Sequence, residues 1–474
     1  MSKPERLHPA TIVFNIIKGI RDSIFIIIIA IAGLMDVNIW YAVLGITILI
    51  LLIVLMSYLS WSRFTYYVEE EELRLEYGIF IRKKRFIAKN RIQSIDLTQN
   101  ILHRIFKLVK VEIETAGTGA DAEASLNAVT LLKGEALRAQ LKSQSINKEE
   151  SVEEETISDP TQTITSKGIL IAGATSGSVG VLIAIAAGAI SELERFIPED
   201  FFNNAYQWVI GLGLLIIIFM IIGGLILLWL IGIIGTVIRY WNFTITKIGE
   251  DIVITRGLLE KKHLTIPLRR IQSIGYVESI IRQPLGYSTV IAEVAGGSNE
   301  SGEEFSTVIF PIMKTDEVSS FIRKFFPDYQ MEEIDYKLPK RALKYYITRM
   351  LLPSLIAFIA VIIIVPYFTW IPILLIVLSI LLGIMQYRDT GFTLEDSKVT
   401  IRYRFLSRVT MVIEHKRIQA FNKKQHFLHR REFLATIKLS IIGKMGLGKH
   451  FHIKEMEEKE ANKLADWYSY RGED

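Results

Sequence analysis

Apolar residues in this chain are gathered into long runs, and the polar residues fall into three blocks that follow them. A helix needs about 20 mostly apolar residues to cross the hydrocarbon of a bilayer. Six stretches read as such spans: residues 18–37, 39–60, 168–190, 206–236, 349–365 and 366–387. They pair into three hairpins with tight connections at 35–38, 191–204 and around Pro366. The first stretch does not read as a cleaved signal peptide. No small-residue cleavage site follows it, and the next span begins at once.

The polar blocks repeat one another. Arg91-Ile-Gln-Ser-Ile95 returns as Arg270-Ile-Gln-Ser-Ile274 and, altered, as Arg417-Ile-Gln-Ala-Phe421. Thirteen residues before the first two arginines stands a glycine followed by apolar residues, Gly78-Ile-Phe and Gly257-Leu-Leu; the third copy has Arg404-Phe-Leu there. A second basic residue, Arg104, Arg282 or Arg430, follows twelve or thirteen positions after each motif. Each copy then offers a strand (109–115, 289–294, 436–441), a glycine-containing turn and a closing helix (134–144, 315–326, 455–471). Period-two alternation marks the strands. Val109, Val111 and Ile113 alternate with Lys110, Glu112 and Glu114, while residues 409–415 alternate more weakly. Six or seven short strands and one helix in ~80 residues predict a small sandwich or open barrel capped by the helix.

The organisation predicted is a hairpin at 1–61, a module at 62–144, an acidic flexible linker at 145–167 and a hairpin at 168–238. A second module at 239–330, a linker at 331–348, a hairpin at 349–387 and a basic, divergent module at 388–474 complete the chain. Residues 145–166 hold six acids, one Lys and many Ser and Thr, a composition that cannot bury enough apolar surface to fold.

The order of two spans, a Gly-apolar strand, Arg-Ile-Gln-Ser-Ile, a basic position and a strand ending Ala-Gly resembles the bacterial pleckstrin-homology-like (bacterial PH domain) membrane proteins. It is most similar to their three-module YdbT-like group. The resemblance covers nearly the whole chain, with the third copy departing in its missing glycine and in Arg-Ile-Gln-Ala-Phe. It implies the fold class of membrane α-helical hairpins plus α+β/all-β modules: three transmembrane hairpins (six helices), each followed by a PH-like bent β-sandwich with a C-terminal helix. It implies no catalytic residues.

Composition and charge sharpen this reading. Half of the residues are hydrophobic, and the mean hydropathy is +0.32. The chain has no cysteine, which excludes disulfides and thiolate metal sites and fits a reducing compartment. Connection 191–204 carries four acids against Arg195, whereas the opposite flanks carry Lys3, Arg6, Lys18, Arg21, Arg63, Lys167, Arg239, Lys340, Arg341, Lys344, Arg349 and Arg388. By the positive-inside rule both termini and all three modules face the cytoplasm. Trp40, Tyr41, Tyr58, Trp61, Tyr240, Trp241, Tyr345, Tyr346 and Tyr387 read as interface anchors at span ends.

The third module is the electrostatic outlier. Residues 398–454 hold fourteen Lys and Arg against Glu414 and Glu432. The matching stretch 63–133 has twelve basic and ten acidic residues, and 247–314 has eight of each. Tethered under a bilayer, a surface including Lys416, Arg417, Lys423, Lys424, Arg430 and Arg431 should meet anionic lipid headgroups, at ~1 kcal/mol per well-placed cation. An acidic protein partner or simple enforcement of topology are the alternatives. The motif residues Arg91, Gln93, Arg270, Gln272, Arg417 and Gln419 read either as headgroup ligands, a guanidinium being a planar fork of donors for phosphate, or as a structural corner. Recurrence in every module favours the corner, because a fold determinant must recur and a ligand site need not.

Other candidates fail on context. Gly443-Lys-Met-Gly-Leu-Gly-Lys-His450 lacks the Ser or Thr that a phosphate-binding loop places after its lysine, and an alternating segment follows it. His426 with His429, and His450 with His452, lack the partners of a metal site. No aromatic-basic interleaving points to nucleic acid. Apart from Arg21 and Asp22 near one end of the first, no charge sits deep in the spans, which argues against an ion-coupled transporter. Gly173, Gly177, Gly211, Gly213, Gly223 and Gly224 offer small faces for helix packing, within the chain or between copies. The reading is therefore a non-enzymatic membrane-anchored scaffold, without cofactor. Its modules bind lipid headgroups, each other, further copies or another membrane protein. Its setting would be cell-envelope maintenance or resistance to membrane-active compounds. The alternative is a component of a membrane transport or export system.

Overall fold

The computed structural model describes residues 4–25, 27, 39–69, 72–115, 124–142, 160–177, 180, 182–185, 188, 214–295, 306–395, 397–443 and 448–469. They form two compact units. One is Met1–Ser158 with Val253–Thr255 and Leu259–Pro267; the other is the rest of the chain.

The first unit begins with β1 (Glu5–Arg6), α1 (Ala10–Asp22) and the long helix α2 (Ile39–Arg63). Strands β2 (Thr65–Val68), β3 (Glu72–Tyr77) and β4 (Lys83–Ala88) follow, and β1-β2-β3-β4 is one antiparallel sheet. A 3-10 turn, Lys89–Arg91, leads into β5 (Ile92–Gln99), the short helix α3 (Ile101–Ile105), β6 (Leu108–Thr115), β7 (Ala124–Thr130) and α4 (Leu131–Lys142). The core lies between the sheets. Leu73, Leu75 and Ile87 from the first meet Ile95, Leu97, Val109, Val111, Ile113 and Leu126 from the second, with Leu137 and Leu141 of α4 closing it. Gly134 lets α4 lie against β6, since a Cβ there would stand 2.6 Å from Val109 Cγ1.

The second unit contains β8 (Thr161–Thr163), α5 (Ser166–Ala174), α6 (Leu214–Tyr240) and β9 (Thr244–Ile248), with β8 paired to β9. Strand β10 (Asp251–Arg256) gives its middle to the first unit, and β11 (Lys261–Pro267) belongs to that unit entirely. Then come β12 (Ile271–Glu278), β13 (Tyr287–Val294), β14 (Thr307–Lys314), α7 (Thr315–Phe325), β15 (Tyr336–Lys337) and the hairpin α8 (Leu343–Ile364) and α9 (Trp370–Asp389). The last module is β16 (Gly391–Leu394), β17 (Lys398–Arg404), β18 (Arg408–Glu414), β19 (Ile418–Lys424), α10 (Phe427–Arg431), β20 (Leu434–Ile442), β21 (Gly448–Glu457) and α11 (Glu458–Ser469). Helix α7 shows why these closing helices form. Asp316 and Glu317 sit in its first turn and Arg323 and Lys324 in its last, each favourable to the helix dipole. Val318, Phe321, Ile322 and Phe325 make its buried stripe.

Two expectations are corrected. Among the described residues four helices, not six, are long and apolar enough to cross a membrane: Val43–Arg63, Ile218–Tyr240, Lys340–Ile364 and Pro366–Asp389. In the expected span 18–37, α1 ends at Asp22, and residues 26 and 28–38 lie outside those described. In the expected span 168–190, α5 is nine residues long, about 14 Å at 1.5 Å per residue. A turn follows it, and residues 178–179, 181, 186–187 and 189–190 lie outside those described. Among the described residues one hairpin, α8 with α9, has two arms of full length. Within it the backbones approach closely at Gly383, where a Cβ would stand 2.9 Å from Ile347 Cα.

The second correction concerns the modules, which are not separate bent β-sandwiches. Among the described residues the sheets are open, and consecutive modules share them. Strand β5 of the first module pairs with β11 of the second, and β10 follows β11 in that sheet. Strand β12 of the second module pairs with β18 of the third, inside the seven-stranded order β14-β13-β12-β18-β17-β16-β15. The remaining sheet is β19-β20-β21. Sharing satisfies an edge that would otherwise leave a row of unpaired backbone groups.

Candidate membrane-facing surface

The motif arginine ends the same corner three times. A 3-10 turn, Lys89–Arg91, Leu268–Arg270 or His415–Arg417, closes one strand and opens the next. The new strand slips register at once, between Ile92 and Ser94, Ile271 and Ser273, and Ile418 and Ala420. The glutamine is therefore the extra residue of a bulge, which bends the strand away from the sheet it has just left. Arg270 is buried, and its Nε donates to the Ala295 carbonyl at 2.9 Å. Gln272, also buried, donates Nε2 to the Arg270 carbonyl at 3.1 Å. Arg91 and Gln419 are exposed, Arg417 is half-buried beside Glu414, and the Gln93 side chain lies outside those described.

Two apolar tips project from every module. The hairpin before the corner exposes Phe80 and Ile81 in the first module, Leu258 and Leu259 in the second, and Phe405 and Leu406 in the third. Gly78 and Gly257 aim the first two, with φ of +109° and +108°. A Cβ on Gly78 would stand 2.0 Å from the Ile81 carbonyl oxygen. The third copy turns without that glycine. Its Arg404 is buried, pairs with Asp389 and donates Nη1 to the Leu406 carbonyl at 2.9 Å, fixing the turn through its side chain. The second and third of these tips touch the ends of long helices. Leu258 N donates to the Ile238 carbonyl of α6, and Gln386 Nε2 of α9 donates to the Phe405 carbonyl, both at 2.9 Å.

The second tip is the connection after the corner strand. It exposes Ile101, Ile105 and Phe106 in the first module, Ile280, Ile281 and Leu285 in the second, and Phe427, Leu428 and Phe433 in the third. Each leans on the first helix of the preceding pair. Phe14 of α1 stacks on His103 at 4.3 Å between centroids. Arg282 donates Nη2 to the Ala172 carbonyl at 3.1 Å and Nε to Thr175 Oγ1 at 2.9 Å, gripping the C-terminal end of α5. In the third module Lys344 pairs with Glu432 and Arg349 with Glu455, while Tyr345 meets His429 edge-on at 4.9 Å. Burial holds the Glu455 carboxyl above its ordinary pKa, with Arg349 opposing. The residue that ends each of these connections is Lys107, Gly286 or Phe433, with φ of +52°, +69° and +53°. Only glycine takes that conformation without cost, so Phe433 is a strained and exposed aromatic.

Residues 15–145, 203–325 and 350–472 match the family model of the bacterial PH domain. The chain belongs to the bacterial PH domain family. It is also similar to the UPF0699 transmembrane protein YdbT of Bacillus subtilis (strain 168), with 32% identity and 100% of each chain covered. Each family match takes in a long helix together with the module after it, so the repeated unit is a helix plus its bacterial PH domain. The protein is a multi-pass membrane protein with three such domains.

In the third bacterial PH domain, four of the six candidate cations come together. Arg430 and Arg431 lie on α10 beside exposed Phe427 and Leu428, and Lys423 and Lys424 end β19, which runs into α10. Lys423 is partly spent, its Nζ standing 3.4 Å from Glu458 Oε1 and 2.5 Å from Asn462 Oδ1. Lys416 and Arg417 sit at the opposite end of β19, roughly 20 Å away along a seven-residue strand. There they stand 3.2 and 3.5 Å from Glu414 Oε2. The near-miss phosphate loop has residues 444–447 outside those described, and its end, from Gly448, is strand β21. Sequence reasoning missed the tips because a lone exposed Phe or Leu is ordinary. The signal that finds them is the repeat: the same two loops are apolar in all three copies.

Proposed function

We propose that this protein is a scaffold that holds three bacterial PH domains flat against the cytoplasmic face of the membrane, each seated by two apolar tips. The observation that carries this is the threefold recurrence of exposed apolar loops, which in the second and third domains are hydrogen-bonded to the ends of long apolar helices. Apolar side chains flanked by cations suit the boundary between headgroups and acyl chains. Fully burying one Leu or Phe yields about 1.5–3 kcal/mol. The third domain adds charge: Lys424, Arg430 and Arg431 near its second tip favour anionic lipid. Cell-envelope maintenance, or resistance to compounds that attack the membrane, is the setting such a scaffold fits.

The lipid preference is testable on the whole chain. An isolated third domain would not serve, because β18 would lose its partner β12. Leu428→Cys, carrying an environment-sensitive fluorophore, is placed in neutral and in anionic nanodiscs. Emission should shift to the blue more strongly in the anionic discs. The difference should shrink with salt, since screening acts over a Debye length of ~8 Å at physiological ionic strength. It should also shrink in Lys424→Gln/Arg430→Gln/Arg431→Gln, at ~1 kcal/mol per cation. Equal, salt-independent emission in both discs would leave an acidic protein partner as the better reading.

A further inference from the structure

The join between consecutive modules follows one rule of register. In the first join, Gln99, the eighth residue after Arg91, faces Lys261, the ninth before Arg270. In the second, Glu278, the eighth after Arg270, faces Arg408, the ninth before Arg417. The pairing therefore belongs to the repeat. Two strands of the same classes have no further strand beside them among the described residues: β4 ends the sheet β1-β2-β3-β4, and β19 ends the sheet β19-β20-β21.

The joined edges complement each other chemically. Arg408 donates Nε and Nη2 to the two carboxylate oxygens of Glu278 at 2.5 and 2.6 Å. In the first join, the Thr265 amide donates to Asp96 Oδ1 at 3.0 Å. Strands β5 and β12 thus each bring an acid to the join. Strand β19 has none, reading Ile-Gln-Ala-Phe-Asn-Lys-Lys, and β4 reads Lys-Lys-Arg-Phe-Ile-Ala. Under the same rule Phe421 of one copy would face Phe86 of another, but Lys424 would face Lys83 and Lys423 would face Lys84. Like charges directly opposite in a sheet are unfavourable.

We propose that the β4 and β19 edges are docking edges for a strand that carries acidic residues on a separate polypeptide, and not for a second copy of this chain. The proposal does not rest on membrane contact by the tips. It predicts that the rule of register works once one lysine is reversed.

The test uses full-length copies with one cysteine each, in a chain that otherwise has none, carried on different tags and co-expressed in one membrane. A Phe421→Cys copy is paired with Phe86→Cys, and then with Lys83→Glu/Phe86→Cys, which presents one acid opposite Lys424. The reciprocal pair is Lys424→Glu/Phe421→Cys with Phe86→Cys, so that failure of one charge variant to fold does not end the test. Tyr276→Cys/Thr410→Cys in one chain, across an existing join, is the positive control, and each charge variant must also give it. After oxidation of the isolated membranes, disulfide yield should rise roughly two- to thirtyfold when either lysine becomes glutamate, since loss of a like-charge pair and gain of an opposite-charge pair are each worth about 0.2–1 kcal/mol. Equal yields with and without the reversal would make a second copy the occupant and overturn the proposal. Background yields in every pair, with the control intact, would show the lysines to be guards of edges that dock nothing, and would overturn it too.

Discussion

Phe433 shows how a single residue can carry two opposed demands. Its backbone sits at φ +53°, where the equivalent residue of the second module is Gly286 at +69°. A bulky residue there costs of order 1–3 kcal/mol, yet Phe433 is 65% exposed and buries little inside the fold. Insertion of the ring into the membrane boundary would repay it. Phe433→Gly should therefore raise the melting temperature of the detergent-solubilised protein, by the equivalent of about 1 kcal/mol. The same variant should weaken the blue shift of the Leu428→Cys label in bilayers. A variant that melts lower would place the ring in a folding role instead. Arg282 makes the complementary point. The sequence marks it as a repeated basic position, but only the structure shows four partners: Ala172, Thr175, Thr289 and Pro311.

Strands, helices and corners are legible in the sequence to different degrees. The closing helices and strands β6, β13 and β20 fall within a few residues of the predicted ranges, because amphipathic period and alternation are local signals. Strand β18 alternates poorly for a reason that the sequence alone hides. It lies between β12 and β17, and Met411, Val412 and Ile413 are all buried, so both of its faces are covered. Sheet sharing itself is not legible, since register between modules is a non-local choice. The Arg408–Glu278 pair is the polar pin of the second join. Glu278 is 2% exposed as a side chain, and Arg408 24%. Arg408→Ala should cost about 3–5 kcal/mol because it strands a buried carboxylate, whereas Arg408→Met/Glu278→Met should cost far less. Thermal melts of the two variants in the same detergent decide this. Equal losses would mean that the pair does not act as one unit.

At the scale of the whole molecule, the threefold repeat is read directly from Arg-Ile-Gln, and the family match confirms the number of modules. The number of long helices among the described residues is not, because hydropathy counts apolar residues and not unbroken helix. Residues 168–190 look like a span in composition, yet α5 stops at Ala174. The basic surface is legible as charge but not as shape. Four of its six named cations cluster around α10, and two sit at the far end of β19. What the repeat conveys best, once its loops are seen in place, is the recurrence of two apolar tips, on which the proposed seat on the membrane rests. The direct measurement is depth. Single fluorophores at Ile81→Cys, Leu259→Cys and Leu406→Cys, with Lys459→Cys on the closing helix α11 as reference, are placed in bilayers containing lipid-borne quenchers at the headgroup or mid-chain. The account predicts that all three tip labels are quenched most by the headgroup-level probe and the Lys459→Cys label by neither. Tip labels as insensitive as the reference would contradict it.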